Sequence, residues 1–142
     1  MLNYLDFGIQ QAKGLGETFK DIRIDLIYCS DLKRAVDTVK ITFEKKYPTL
    51  VDKKLRELDY GDFHGNLSEI MGHMEKARIK EAFPNGESYQ QAMVRVGDFC
   101  KELKEKYRDK TVLVVGHSAT QFGLDTLIRD KTIEECLCVP FK

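Results

Sequence analysis

Two stretches of the chain place a side chain capable of chemistry directly after an apolar run. In one, Tyr28-Cys29 leads into Ser30-Asp31-Leu32-Lys33-Arg34; in the other, Val114-Val115 leads into Gly116-His117-Ser118. Arginine offers a planar fork of donors that keeps its charge, and histidine offers a donor or a proton-transfer group near neutral pH. Both suit the oxygens of a phosphoryl group, whose transfer is catalysed mainly by positioning and charge stabilisation. Taken singly, each has an ordinary explanation: Arg34 as a solvated helix arginine, His117 as a capping or core histidine. Their shared location argues against both explanations. Parallel sheets collect ligands beyond the carboxyl ends of their strands, beside helix N-termini.

The elements that must position these residues follow from hydrophobic periodicity. Ile9, Ala12, Leu15, Gly16 and Phe19 predict an amphipathic helix from Gly8 to Phe19. Ile22, Ile24, Leu26 and Tyr28 alternate, with Ile27 and Cys29 adding apolar weight on the other face, as in a strand covered on both sides. Ser30 is the expected N-cap of a helix running from Asp31 to about Lys46, stopped by Pro48. From Thr49 to Gly65 the period is lost, and Gly61 and Gly65 suggest a shaped loop. Leu67 to Phe83 reads as a helix with a weak apolar face, Pro84-Asn85-Gly86 as a turn, and Tyr89 to Tyr107 as a long amphipathic helix. Thr111 to Val115 is the clearest strand, and Ala119 to about Arg129 a helix behind it. A weak strand is expected at Leu137-Cys138-Val139.

This alternation predicts a single α/β domain over residues 1–142, three-layer α/β/α, with a mostly parallel sheet flanked by helices. Two strong strands do not make a self-sufficient sheet. The domain is therefore expected to lack its first strand, whose place would be before Met1, and the exposed edge so left would favour a homodimer.

Composition narrows the partners. Lysine plus arginine (23) balances aspartate plus glutamate (23), so no general field grips a nucleic-acid backbone or an anionic membrane. Any anion must be held by a local cluster. No apolar run approaches the ~20 residues of a membrane span. Cys29, Cys100, Cys136 and Cys138 show no zinc-ribbon spacing and read as thiols of a reducing cytoplasmic compartment. His64, His73 and His117 lack a metal-binding spacing; His64 sits in the glycine-bounded loop at a place suited to a substrate mouth, and His73 reads as a surface helix residue.

Five segments together resemble the histidine phosphatase superfamily, which includes the phosphoglycerate mutases. They are Gly8-x-x-Gln11-Ala12; Ser30-Asp31-Leu32-Lys33-Arg34-Ala35-x-x-Thr38; Leu55 to Gly65 around Glu57; Gly86-Glu87-Ser88 with Arg95; and Val114-Val115-Gly116-His117-Ser118. They occur in the family's order. The resemblance implies that Arg34 clamps the phosphoryl oxygens and that His117 donates to the same group. It implies that Glu57 protonates the leaving oxygen, a role that needs a carboxyl kept protonated by burial or a neighbouring charge. Ser118 would add a donor at the helix start. The ligand implied is a small phosphorylated substrate or inorganic phosphate, with no organic cofactor and no metal.

One departure is large. The family begins with a strand ending in Arg-His-Gly, whose histidine becomes phosphorylated, and no Arg-His-Gly occurs here. The missing motif and the missing strand are expected to be the same piece, and the chain also stops about where the family's last strand would continue. The leading expectation is a phosphomonoesterase working through a phosphohistidine, with its nucleophile absent from this chain. The stretch from Glu57 to His117 is short, which favours a phosphatase over a mutase with its enclosing insertion. The rival expectation is a catalytically inactive module of the same fold that binds phosphate or a partner. His117 as the nucleophile itself would lack its usual partners.

Overall fold

The computed structural model describes residues 4–65 and 75–138, with residues 4–7 as backbone alone. Its sheet has three parallel strands: β1 (Leu26–Cys29), β2 (Thr49–Val51) and β3 (Val112–Val115), in the order β2-β1-β3. Leu26 to Cys29 stand opposite Val112 to Val115, and Ile27 to Cys29 opposite Thr49 to Val51. Both candidate segments therefore leave the sheet at the same end, side by side.

The helices are α1 (Tyr4–Phe19), α2 (Lys33–Phe43), α3 (Tyr89–Lys106), α4 (Ser118–Ile128) and α5 (Ile133–Leu137). Alternate residues of a strand face opposite sides. Ile27 and Cys29 pack with Val39 and Phe43 of α2, and Phe19 of α1 joins them. Tyr28 faces the other way, its ring edge-on to Phe99 of α3 at 5.3 Å. The result is the expected α/β/α layering, with α1 and α2 on one face and α3 and α4 on the other. Gly123 of α4 sits against Val96 of α3 so closely that an added Cβ would lie 2.5 Å from Cγ1 of Val96. That contact sets how near α4, and the turn that precedes it, can come to α3.

Four expectations need correction. The first strand is shorter than the apolar alternation, because residues 20–22 form the turn that closes α1; Ile22 is exposed. β2 was expected as loop. Its three residues are all exposed on the sheet edge, so they carry no inside–outside pattern to read. The strand expected at Leu137-Cys138-Val139 is instead the end of α5. Thr132 accepts from the Glu135 N–H (3.1 Å) while Glu135 Oε2 accepts from the Thr132 N–H (2.8 Å), a capping box that commits the following residues to a helix; Val139 lies outside the described residues. Of the helix expected over Leu67 to Phe83, residues 67–74, His73 among them, also lie outside. The described remainder has one 3-10 turn, Ala77–Ile79, before the chain turns at Pro84-Asn85-Gly86. No described helix is long and apolar enough to cross a membrane.

Candidate functional site

The first candidate segment is shaped by Ser30. Its N–H still bonds to the Val115 carbonyl (3.0 Å), so it remains part of the sheet, and its buried Oγ accepts from the Leu32 N–H (3.2 Å). Ser30 therefore does not cap the helix as expected. Leu32 holds the cap position without a side-chain bond, α2 begins at Lys33, and Arg34 stands in its first turn. Asp31 forms a two-point ion pair with Arg56 (2.7 and 2.6 Å), tying this turn to the loop that carries Glu57. Arg34 is exposed, and its guanidinium makes no hydrogen bond among the described residues.

The second segment turns at Gly116, where a Cβ would lie 2.2 Å from Thr120 Oγ1. Thr120 is 4% exposed, and its hydroxyl does two things. It accepts the His117 N–H (3.2 Å) and donates to the Leu55 carbonyl (3.1 Å). The turn bearing His117 is thereby fastened to the segment bearing Glu57.

Glu57 is half-buried, and its carboxylate reaches the start of α4. Oε1 accepts from the N–H groups of Leu58 (2.9 Å) and Ala119 (3.1 Å), and Oε2 accepts from Ser118 (3.3 Å). The first N–H groups of a helix have no partner within it, and the helix dipole favours negative charge there. Glu57 thus occupies an anion-binding position. Oε2 carries only the long contact, so it is the oxygen with more lone-pair capacity left free.

Arg34, Glu57, His117 and Ser118 line one cleft of about 470 Å³, with Val114, Gly116, Thr120, Gln121 and Leu124 completing its wall. His117 Nε2 is buried there without a hydrogen-bond partner among the described residues. Burial holds the imidazole below its ordinary pKa, the Arg34 charge lowers it further, Glu57 opposes, and Arg95 adds to the lowering. His117 is therefore neutral near pH 7, with an unpaired ring nitrogen beside an arginine fork. Buried polar atoms are ordinarily paired. An anion with several oxygens would serve both groups at once.

Sequence reasoning singled out four of these residues and missed Thr120, Gln121 and Leu124. They stand three, four and seven places after His117, the spacing of one helix face, so the signal was present once His117 was placed at a helix start. His64 is exposed and does not line the cleft. Among the described residues no group of three or more histidine, cysteine or carboxylate side chains is placed to hold a metal.

Residues 5–131 match the model of the histidine phosphatase superfamily, branch 1. The chain belongs to that superfamily. It is 33% identical over 122 residues to an uncharacterized phosphatase of Bacillus subtilis, covering 85% of this chain and 62% of that protein. It is 29% identical over 150 residues to a 2,3-bisphosphoglycerate-dependent phosphoglycerate mutase of Allorhizobium ampelinum, covering 94% of this chain and 71% of the mutase. The solved structure of Bacillus stearothermophilus YhfR shares the fold with a TM-score of 0.79 at 22% identity, over 94% of this chain and 70% of that one. Histidine phosphatase relatives thus include both phosphatases and mutases. The chain spans about three-fifths of the length of the Bacillus subtilis phosphatase.

Proposed function

We propose that the cleft binds the phosphoryl group of a small phosphorylated metabolite, and that it is the accessory part of a phosphomonoesterase site working through a phosphohistidine, in the cytoplasm and without a metal. The observation that carries this reading is the buried Nε2 of His117, without a partner among the described residues, in a side chain that lines the same cleft as Arg34. Arg34 would hold two phosphoryl oxygens with its fork, while the His117 ring and the Ser118 N–H or hydroxyl approach the others.

In the first half-reaction a histidine nitrogen from outside these 142 residues forms an N–P bond as the ester P–O bond breaks. Glu57, which takes up a proton from solvent as the anionic ester enters beside it, passes that proton to the leaving oxygen. In the second, water attacks the phosphohistidine and its proton passes to Glu57, releasing inorganic phosphate. For that exchange Oε2 is the better placed carboxylate oxygen, since Oε1 is held by two N–H groups. The short chain between Glu57 and His117 supports transfer to water over transfer to a second substrate oxygen.

A second reading has one observation in its favour. No Arg-His-Gly occurs in the sequence, so this chain by itself would bind phosphate without turning it over. Calorimetric titration with inorganic phosphate tests what the two share. Binding is expected, weakened about 10- to 100-fold by Arg34→Ala through loss of a charge-assisted contact of roughly 1.5–3 kcal/mol. An unchanged affinity in that variant overturns the site. Hydrolysis of p-nitrophenyl phosphate by the chain alone would overturn the external nucleophile.

A further inference from the structure

Arg95 lies on α3 and is not among the residues lining the cleft, yet it is the most fully engaged cation among the described residues. A guanidinium has five N–H donors, and all five of Arg95 are used. Nη1 donates to the carbonyls of Lys54 (2.7 Å) and Arg56 (2.8 Å). Nη2 donates to the Glu57 carbonyl (3.1 Å) and to Glu87 Oε1 (2.5 Å), and Nε to Glu87 Oε2 (3.1 Å). Glu87 Oε1 also accepts the Asp59 N–H at 3.0 Å. Three carbonyls from one four-residue stretch converge on this cation, in a segment whose regular structure ends with the 3-10 turn Lys53–Leu55.

The platform beneath it is closely bonded and packed. Ser88 caps α3 with a reciprocal pair of bonds to Gln91 (2.8 and 3.1 Å), fixing the chain directly after Glu87. Gly61 and Gly86 pack backbone to backbone, and a Cβ at Gly86 would lie 2.3 Å from the Asp59 carbonyl. Glu57 is consequently held from two sides: its carbonyl by Arg95 of α3, its carboxylate by the first N–H groups of α4.

We infer that Arg95, anchored by Glu87, is a positioning residue that sets where the Glu57 carboxylate meets the cleft. This rests on the reading of Glu57 as the carboxyl group of the site. A lysine at 95 would keep the charge but would bring three donors at a single point, which cannot span three carbonyls and a carboxylate.

The amide signals of Ser118 and Ala119 report the carboxylate's position, since both donate to Glu57 and neither touches Arg95. In ¹H–¹⁵N spectra, Glu57→Ala removes their acceptor and moves both amide protons upfield. Arg95→Lys is expected to move the same two signals in the same direction, and to move them no further in the Glu57→Ala background. A folded Arg95→Lys variant with both signals in place overturns the inference, as does an equal added shift in the double variant. Should Arg95→Lys fail to fold, Glu87→Gln serves, since it keeps the guanidinium and its three carbonyl contacts while weakening the anchor. Titrating the unsubstituted chain with inorganic phosphate separates the two readings. Absence of binding there overturns the phosphoryl site and leaves the amide result standing.

Discussion

The Glu57 carboxylate accepts the Ala119 N–H at 3.1 Å, so a loop side chain fills the anion-binding start of the helix that follows His117. A phosphoryl group arriving in the cleft meets that negative charge. Removing it is expected to tighten binding of inorganic phosphate. For two charges a few ångströms apart near a protein surface the repulsion is on the order of 1 kcal/mol after screening, or roughly fivefold in affinity. Calorimetry on Glu57→Ala checks the sign; weaker binding would mean that the carboxylate organises the cleft more than it repels the ligand.

Thr120 is expected to matter through its hydroxyl. Thr120→Val keeps the shape but leaves the Leu55 carbonyl and the His117 N–H without their bonds, at a cost of about 1–3 kcal/mol. Thr120→Ser retains both bonds and loses only a methyl group. Urea denaturation should rank Val well below Ser, and equal midpoints would show that the bridge contributes nothing.

The pH dependence has a definite sign. Burial and the Arg34 charge lower the His117 pKa from its usual 6.5, so the folded state binds fewer protons than the unfolded state in the interval below that value. This residue's contribution is fully present above about pH 6.5, and it is lost as the pH falls through the folded pKa. Stability measured from pH 7.5 downward should decline more steeply in the parent chain than in His117→Asn. Added phosphate brings negative charge to the ring and should raise the His117 midpoint followed by NMR.

Gly123 tests whether the helix contact places the site. A Cβ there would lie 2.5 Å from Cγ1 of Val96, so Gly123→Ala should cost about 1–3 kcal/mol by overpacking. Val96→Ala in the same chain should recover part of that loss. The thermal midpoints of the two variants decide it, and an additive further loss in the double variant would place the strain elsewhere.

How legible the structure was depends on how local each cause is. Val112 to Val115 and the face of α3 from Tyr89 onward could be read directly, because burial imposes a period of two or of 3.6 on neighbouring residues. β2 could not, since Thr49, Leu50 and Val51 lie on an edge where both faces see solvent. The end at Leu137 was misread although Thr132-Ile133-Glu134-Glu135 carried a helix-start signature, because a short apolar run suits either element until its cap is weighed. Ser30 was misassigned because its N–H belongs to Val115, a partner far along the chain.

The sequence by itself determined the family, the α/β layering and the candidacy of Arg34, Glu57, His117 and Ser118, because strand-end placement and five ordered segments depend only on residue type and spacing. The tertiary structure alone decided that these four residues share one cleft. It also decided that Glu57 sits on the amides of α4, that Thr120 joins the His117 turn to the Glu57 segment, and that Arg95 holds the carbonyls behind it. Those relations depend on hydrogen bonds from side chains to backbone groups distant in sequence. Backbone donors and acceptors are the same at every residue but proline, so which of them a side chain meets leaves no mark in the order of residues.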